Sequence, residues 1–192
     1  MAKILDLNKK NDYIKFAKEV FNGAIFVYPT ESVFGLGCDI NNKNAIERVL
    51  SLKRRDVCKG LIVISDNFEK IKYLIDIKYH QVFIENYKTD VPTTWICPAS
   101  KRVLSEITGG TQKIALRITE NFTCIKICKI LNAPIISTSA NKSGEKPFIK
   151  YDDILNNFYN DVDYIIKGNV GNSKKPSRII DLLTKDILRE GG

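Results

Sequence analysis

The chain has 192 residues, 44% of them apolar and 27% charged, enough to bury the core of one ordinary domain and too apolar for a disordered tail. No apolar run approaches the roughly 20 residues of a membrane span. Thirty Lys and Arg against 22 Asp and Glu leave a formal charge of +8, which favours polyanionic partners such as nucleic acid or nucleotide phosphates. The excess is mostly lysine in a chain also heavy in Ile and Asn, a pattern that AT-rich coding produces too. No block of like charges marks a nucleic-acid arm. The first residues, Met1 to Asp6, lack the apolar segment and cleavage site of an export signal, so a cytoplasmic protein is expected.

In chain order, residues 9–22 carry Tyr13, Ile14, Ala17, Val20 and Phe21 at helical spacing, with Gly23 as the stop. Residues 24–28 form a short, continuously apolar run typical of a buried strand, ended by Pro29. A second helix is predicted over 41–52, a strand over 60–64 and a helix over 68–75. Strands follow over 95–97, 114–118 and 134–138, with a helix over 122–131 between the last two. Residues 151–159 read as helix, and 163–166 and 178–182 as the final strands. This alternation predicts an α/β protein, a twisted mixed open sheet flanked by helices, as a single domain over residues 1–192. Polar segments at 29–37, 137–147 and 168–177 follow buried strands, where open α/β sheets gather their ligands.

The five cysteines, Cys38, Cys58, Cys97, Cys124 and Cys128, read as reduced thiols. Cys124 and Cys128 stand one helical turn apart without a CxxC or a nearby His, so no metal held by protein side chains is expected. His80 is the only histidine, in an amphipathic stretch with no nucleophile beside it. The chemistry is therefore expected to run without a histidine base, which weighs against a cysteine-dependent hydrolase.

Three segments are dense in polar chemistry. In Tyr28-Pro29-Thr30-Glu31-Ser32-Val33-Phe34-Gly35-Leu36-Gly37, hydroxyls and two glycines suit close backbone approach to a ligand, although local physics alone reads a tight strand-to-helix turn. In Leu52-Lys53-Arg54-Arg55-Asp56-Val57-Cys58-Lys59-Gly60, four cations stand at a predicted helix end. The helix dipole alone would favour them there, and they also suit a triphosphate clamp. Ser137-Thr138-Ser139-Ala140-Asn141-Lys142-Ser143-Gly144 has more hydroxyls and amides than a helix cap needs. Neither a P-loop nor a dinucleotide fingerprint is present.

Together these segments resemble the YrdC-like family of L-threonylcarbamoyladenylate synthases, in its short single-domain form. The resemblance rests on Tyr28 to Asp39, the pair Lys53 and Arg55, Lys59 to Ile62, Ala115-Leu116-Arg117-Ile118 and Ser137 to Gly144, with Pro176-Ser177 and Leu188 to Gly191 matching in kind. It departs at 89–94, where only Pro92 and Thr94 remain of the family's Trp-Pro-Gly-Pro-x-Thr, and at Arg178 after Pro-Ser. It implies a YrdC-like fold with a central ligand groove. It also implies synthesis of threonylcarbamoyl-AMP and pyrophosphate from L-threonine, bicarbonate or CO2, and ATP, with Mg2+ arriving on the ATP.

Carried over, Lys53 and Arg55 become the catalytic cations. Lys53, Arg55, Lys59, Ser137, Ser139 and Asn141 hold ATP, Thr30 holds L-threonine, and Arg117 partners the L-threonine carboxylate or a phosphate. Thr94, Ser177 and Arg189 have no fixed role. The implied downstream partner is a complex that transfers the threonylcarbamoyl group to tRNA. A basic module that binds double-stranded RNA or tRNA without catalysis stands as the rival reading.

Overall fold

The computed structural model describes residues 1–173 and 175–191. In chain order the elements are β1 (Lys3–Leu5), α1 (Tyr13–Phe21), β2 (Phe26–Pro29), β3 (Phe34–Asp39), α2 (Lys43–Leu52), β4 (Ile62–Ser65), α3 (His80–Asn86) and β5 (Thr93–Pro98). There follow α4 (Ser105–Thr108), β6 (Lys113–Ile118), α5 (Phe122–Leu131), β7 (Ile135–Ser139), α6 (Tyr151–Phe158), β8 (Tyr164–Ile166), β9 (Arg178–Asp181) and β10 (Ile187–Arg189). The strands join one sheet in the order β1-β8-β2-β3-β7-β4-β6-β5-β9-β10. Its pairings mix parallel (β2 with β8, β4 with β6, β5 with β9) and antiparallel (β2 with β3, β3 with β7, β5 with β6). The mixed open sheet flanked by helices is thus as the sequence predicts. No helix among the described residues is long and apolar enough to cross a membrane.

Successive strand residues point to opposite faces, and two buried clusters divide accordingly. Val27, Leu36, Val63, Leu116, Ile136 and Ile165 pack on one face with Ala45, Ile46 and Val49 of α2 and Ile154 of α6. Phe26, Tyr28, Ile64, Ile135 and Ile166 pack on the other with Phe16 and Val20 of α1 and Cys124, Ile127 and Leu131 of α5. The helix starts follow capping chemistry. Asn42 accepts from the Ala45 amide at 3.0 Å and Asn121 from the Cys124 amide at 3.0 Å. Toward β5, β6 and β9 the second face loses its helical cover: Ile96, Ala115, Arg117 and Ile179 are only half-buried there, while Trp95, Leu116 and Ile180 on the first face stay buried. A groove lies over the second face beside this uncovered part.

Two expectations are corrected. Residues 34–39 are a strand, β3, rather than the start of a helix. Gly35 lies opposite Tyr28 and Ser139, and Gly37 opposite Phe26 and Ser137. A Cβ at Gly37 would stand 2.9 Å from the Phe26 ring, and one at Gly35 3.0 Å from the Tyr28 ring. The glycines are therefore strand residues that aromatic neighbours have stripped of side chains. Over 68–75 the chain makes only a 3-10 turn at Lys72–Leu74, because Ile75 leaves to bridge Ala99; the α-helix begins later, at His80. The three-residue edge strands β1 and β10 are too short to carry a visible period.

Gly109 closes α4 with φ +65°, and a Cβ there would stand 2.5 Å from the Cys58 carbonyl oxygen, whereas at Gly110 (φ +74°) nothing lies within 4 Å. Left-handed backbone alone costs an alanine about 1 kcal/mol. Gly110→Ala is expected to lose about that in urea unfolding, and Gly109→Ala at least about 2 kcal/mol more because backbone must shift.

Candidate active site

The groove holds about 190 Å³, between the β2–β3 turn, the N-terminal end of α5 and the C-terminal strands. Gly35, Ile62, Ile64, Ser137 and Ser139 form its floor. Ser137 and Ser139 of β7 are short side chains for strand positions on this face, which leaves room above the sheet. Tyr28, fully buried beneath, donates to Ser137 Oγ at 2.6 Å. Its desolvation holds the phenol well above its ordinary pKa, so it remains a donor.

One wall is the turn Thr30 to Val33, where Thr30 Oγ1 donates to the Val33 carbonyl at 2.7 Å. The polypeptide leaving β8 crosses over this turn on its way to β9. The Gly171 amide donates to the Thr30 carbonyl at 2.9 Å and the Ser173 amide to the Glu31 carbonyl at 3.0 Å. A Cβ on Gly171 would stand 2.8 Å from the Glu31 carbonyl oxygen, so the strap lies directly on the turn. The opposite wall gathers Thr94, Ser177 and Arg189. Thr94 Oγ1 and Ser177 Oγ are 2.9 Å apart, and the Arg189 guanidinium donates to the Ser177 carbonyl at 2.7 and 3.1 Å.

Lys53 and Arg55 part company at the end of α2. The Arg54 amide donates to the Ser51 carbonyl and the Arg55 amide to the Leu50 carbonyl, both at 2.9 Å, with Arg54 left-handed at φ +48°. That Schellman-type ending reverses the chain and sends alternate side chains to different places. Arg55 reaches the groove, its Nε donating to the Gly60 carbonyl at 3.1 Å and its Nη2 to the Lys59 carbonyl at 3.3 Å. Lys53, only 2% exposed, turns inward. Its ammonium donates to the Ser139 carbonyl, to the Asn141 carbonyl at 2.8 Å and to Asn141 Oδ1 at 3.3 Å, while the Ser143 amide donates back to the Lys53 carbonyl at 2.7 Å. The Asn141 amide nitrogen is used on the Lys142 and Glu145 carbonyls, at 2.9 and 2.6 Å.

Of the residues expected from the sequence, the groove thus brings together Thr30, Arg55, Arg117, Ser137 and Ser139, and adds Thr94, Ser177 and Arg189. Lys53 and Asn141 do not line it but brace the 139–143 loop from behind, and the Lys59 side chain is exposed outside it. Glu31 and Thr119 line it without having been singled out. Glu31 stands within the quoted Tyr28-Pro29-Thr30-Glu31 segment, and its place beside an apolar strand end was the available signal; Thr119 offered none.

Among the described residues, Arg55, Arg117 and Arg189 face a single groove carboxylate, Glu31, which accepts a hydrogen bond from Arg117 Nη2. Burial lowers the pKa of Arg55, and burial with the nearby Arg117 charge lowers that of Arg189, yet guanidinium stays charged. The result is a cationic groove with unspent donors: among the described residues Arg117 Nε is buried without a partner. Such a site suits phosphate and carboxylate oxygens. Among the described residues no three His, Cys, Asp or Glu side chains come together for a metal. The lone histidine, His80, is elsewhere, its Nε2 3.2 Å from the Ile75 carbonyl.

A family model described as telomere recombination, Sua5/YciO/YrdC, matches residues 18–191. The chain is 37% identical over 170 residues to threonylcarbamoyl-AMP synthase of Pseudoalteromonas atlantica, covering 85% of this chain and 89% of that one. It is 35% identical over 179 residues to threonylcarbamoyl-AMP synthase of Buchnera aphidicola subsp. Schizaphis graminum, covering 92% and 94%. Among solved structures it superposes on P. abyssi Sua5 complexed with L-threonine with a TM-score of 0.83 at 26% identity. There all of this chain matches 58% of the other, so it spans less than two thirds of that protein's length.

Burial, and then the Arg55 charge, push the Lys53 ammonium down to about 8. Above that pH the native protein releases this proton while the unfolded chain, with an ordinary lysine near 10.4, still holds it. Stability therefore rises with pH across this window, by at most about 1.4 kcal/mol per unit. Unfolding free energies measured between pH 7.5 and 10 are expected to show wild type gaining relative to Lys53→Met as pH rises.

Proposed function

The chain belongs to the Sua5/YciO/YrdC family, and from that membership and the charge of its groove we propose that it is a threonylcarbamoyl-AMP synthase. It joins L-threonine, CO2 drawn from bicarbonate, and ATP into L-threonylcarbamoyladenylate, releasing pyrophosphate. The observation that carries the reading is a pocket with three guanidiniums, a rank of hydroxyls and no catalytic histidine.

The chemistry needs no such base. Threonine's amine takes up CO2 and loses a proton, giving a carbamate whose oxygen is already an anionic nucleophile. That oxygen forms a bond to the α-phosphorus of ATP while the bond from phosphorus to the bridging oxygen breaks and pyrophosphate departs. What the protein must supply is alignment of two anions and compensation of charge on the phosphates. In this reading Arg55 stands over the phosphates with Ser137 and Ser139 beneath them, and Arg189 contributes from the opposite wall. Lys53 and Asn141 act at one remove, fixing the carbonyls of 139 and 141 so that the serine loop keeps its shape. The Lys59 carbonyl fixes the Arg55 guanidinium. Thr30 and Arg117 take the amino acid, by its hydroxyl or amine and its carboxylate.

Mg2+ enters as part of the ATP substrate. Among the described residues no three His, Cys, Asp or Glu side chains come together, so the ion is held by phosphate oxygens rather than by a protein cage. The adenylate then passes to a complex that transfers the threonylcarbamoyl group to tRNA. The hydroxyl-rich floor supports catalysis over the RNA-binding reading, since phosphate tracking alone has no use for it.

Pyrophosphate release from ATP by the purified protein is expected to require both L-threonine and bicarbonate. Arg55→Ala should lower kcat/KM by about 100-fold or more. Arg55→Lys should still lose roughly tenfold, because one ammonium cannot reproduce a forked contact. Release indifferent to threonine would point to another acceptor, and no release with salt-sensitive RNA binding intact would favour the binding module.

A further inference from the structure

A second cavity of about 240 Å³ adjoins the groove, lined by Tyr87 to Thr93 together with Glu120 and Asn121. Glu31 and Arg117 line both cavities, so their ion pair forms the wall between them. The pair is mostly withdrawn from water, with 13% of the Arg117 side chain and 22% of that of Glu31 exposed.

Its geometry is incomplete. Arg117 Nη2 donates to Glu31 Oε1, but Nε, the neighbouring donor on the same edge of the guanidinium, is buried without a partner among the described residues. A carboxylate free to lie alongside that edge would take both donors, the stronger forked arrangement. Glu31 reaches only one.

The two partners also differ in how firmly they are held. Arg117 projects from β6, fixed opposite Ile64 of the buried β4. The Glu31 main chain is pinned through its carbonyl by the Ser173 amide, but its carboxylate has, besides Arg117, a single bond from Thr119 Oγ1 at 3.3 Å. Rotation of the Glu31 side chain would free the arginine without moving the fold.

We propose that Glu31 is an anionic stand-in. It occupies Arg117 in the empty protein and is displaced by the carboxylate of the incoming amino acid, which then straddles Nε and Nη2. Glu31 must yield, because two carboxylates on one edge of a guanidinium repel each other. Its departure opens the wall between the two cavities at the moment the amino acid arrives. Glu31 is in this sense a positioning residue that sets amino-acid affinity. The inference rests on the amino-acid reading given above.

The test is calorimetric titration of L-threonine and of L-threoninamide, which lacks the carboxylate, into wild type and the Glu31→Gln, Glu31→Asp and Glu120→Gln variants, with thermal melts to verify folding. Removing the competitor is expected to lower the threonine Kd of Glu31→Gln roughly three- to tenfold, the worth of a partly buried ion pair. Glu31→Asp, whose carboxylate is retracted by one methylene, should show a smaller gain in the same direction and carries the test if the Gln variant does not fold. Glu120→Gln removes a neighbouring charge that makes no bond to Arg117 and should leave the Kd near the wild-type value.

Threoninamide should gain nothing from any of these changes. Unchanged or weaker threonine binding by folded Glu31 variants overturns the proposal. So does an equal gain in Glu120→Gln, which would report only the field of a lost charge, or an equal gain for threoninamide. A wild type that binds no threonine at all removes the parent reading and this inference with it.

Discussion

A buried ammonium with no carboxylate beside it organises this site. Lys53 is satisfied by the Ser139 and Asn141 carbonyls and the Asn141 amide oxygen, all dipoles and none of them charged. An unpaired cation in a protein interior is expensive, so these oxygens cannot drift: withdrawing one would leave the charge undersolvated. The polar loop after β7 is therefore stiff although it has no regular structure of its own. The same lysine terminates α2, which locks the helix end, the loop and the adjoining arginine into one unit. Arg55 reaches the groove because Lys53 has been drawn away from it.

The groove is held in tension by its own charges. Three guanidiniums around a small cavity repel one another, and the influence of Arg117 on Arg189 is one expression of this. Stability would be served by more carboxylates, yet among the described residues only Glu31 lines the groove. In the proposed reaction an anionic ligand relieves this unfavourable field on binding, and the same field compensates the charge that develops as a phosphate bond breaks. Carbonyl groups fill part of the gap: Gly60 and Lys59 hold Arg55, and Ser177 holds Arg189. They orient the guanidiniums without neutralising them.

Much of this was legible in the sequence, and the exceptions have physical reasons. The buried strands announced themselves as apolar runs, and α1 by the helical spacing of its apolar residues, because those patterns are local. The hairpin strand β3 was hidden by Gly35 and Gly37, which local physics reads as a turn. Only pairing with Phe26 and Tyr28 makes them strand residues. Lys53, Arg55, Ser139 and Asn141 were identifiable as a set from their spacing and resemblance. Which of them would face the ligand was not, since that depends on a single left-handed residue, Arg54, and on carbonyls far along the chain. Glu31 escaped notice for a related reason: its partner Arg117 is on another strand, and no spacing connects them.

The wall contacts have a further consequence for how the molecule comes into being. Glu31 meets Arg117 across 86 residues, Thr94 meets Ser177 across 83, and Lys53 meets Asn141 across 88. The strap after β8 must also return to the turn at Thr30 and Glu31 before the rim exists. Contacts of such separation are entropically late, and the wall of Thr94, Ser177 and Arg189 cannot be finished by a nascent chain that lacks its last strands. On a ribosome, helices and hairpins can settle as they emerge, but the cationic groove closes only after nearly the whole polypeptide is out. In the proposed function, a partial chain would therefore lack the complete site for its nucleotide until these strands are in place.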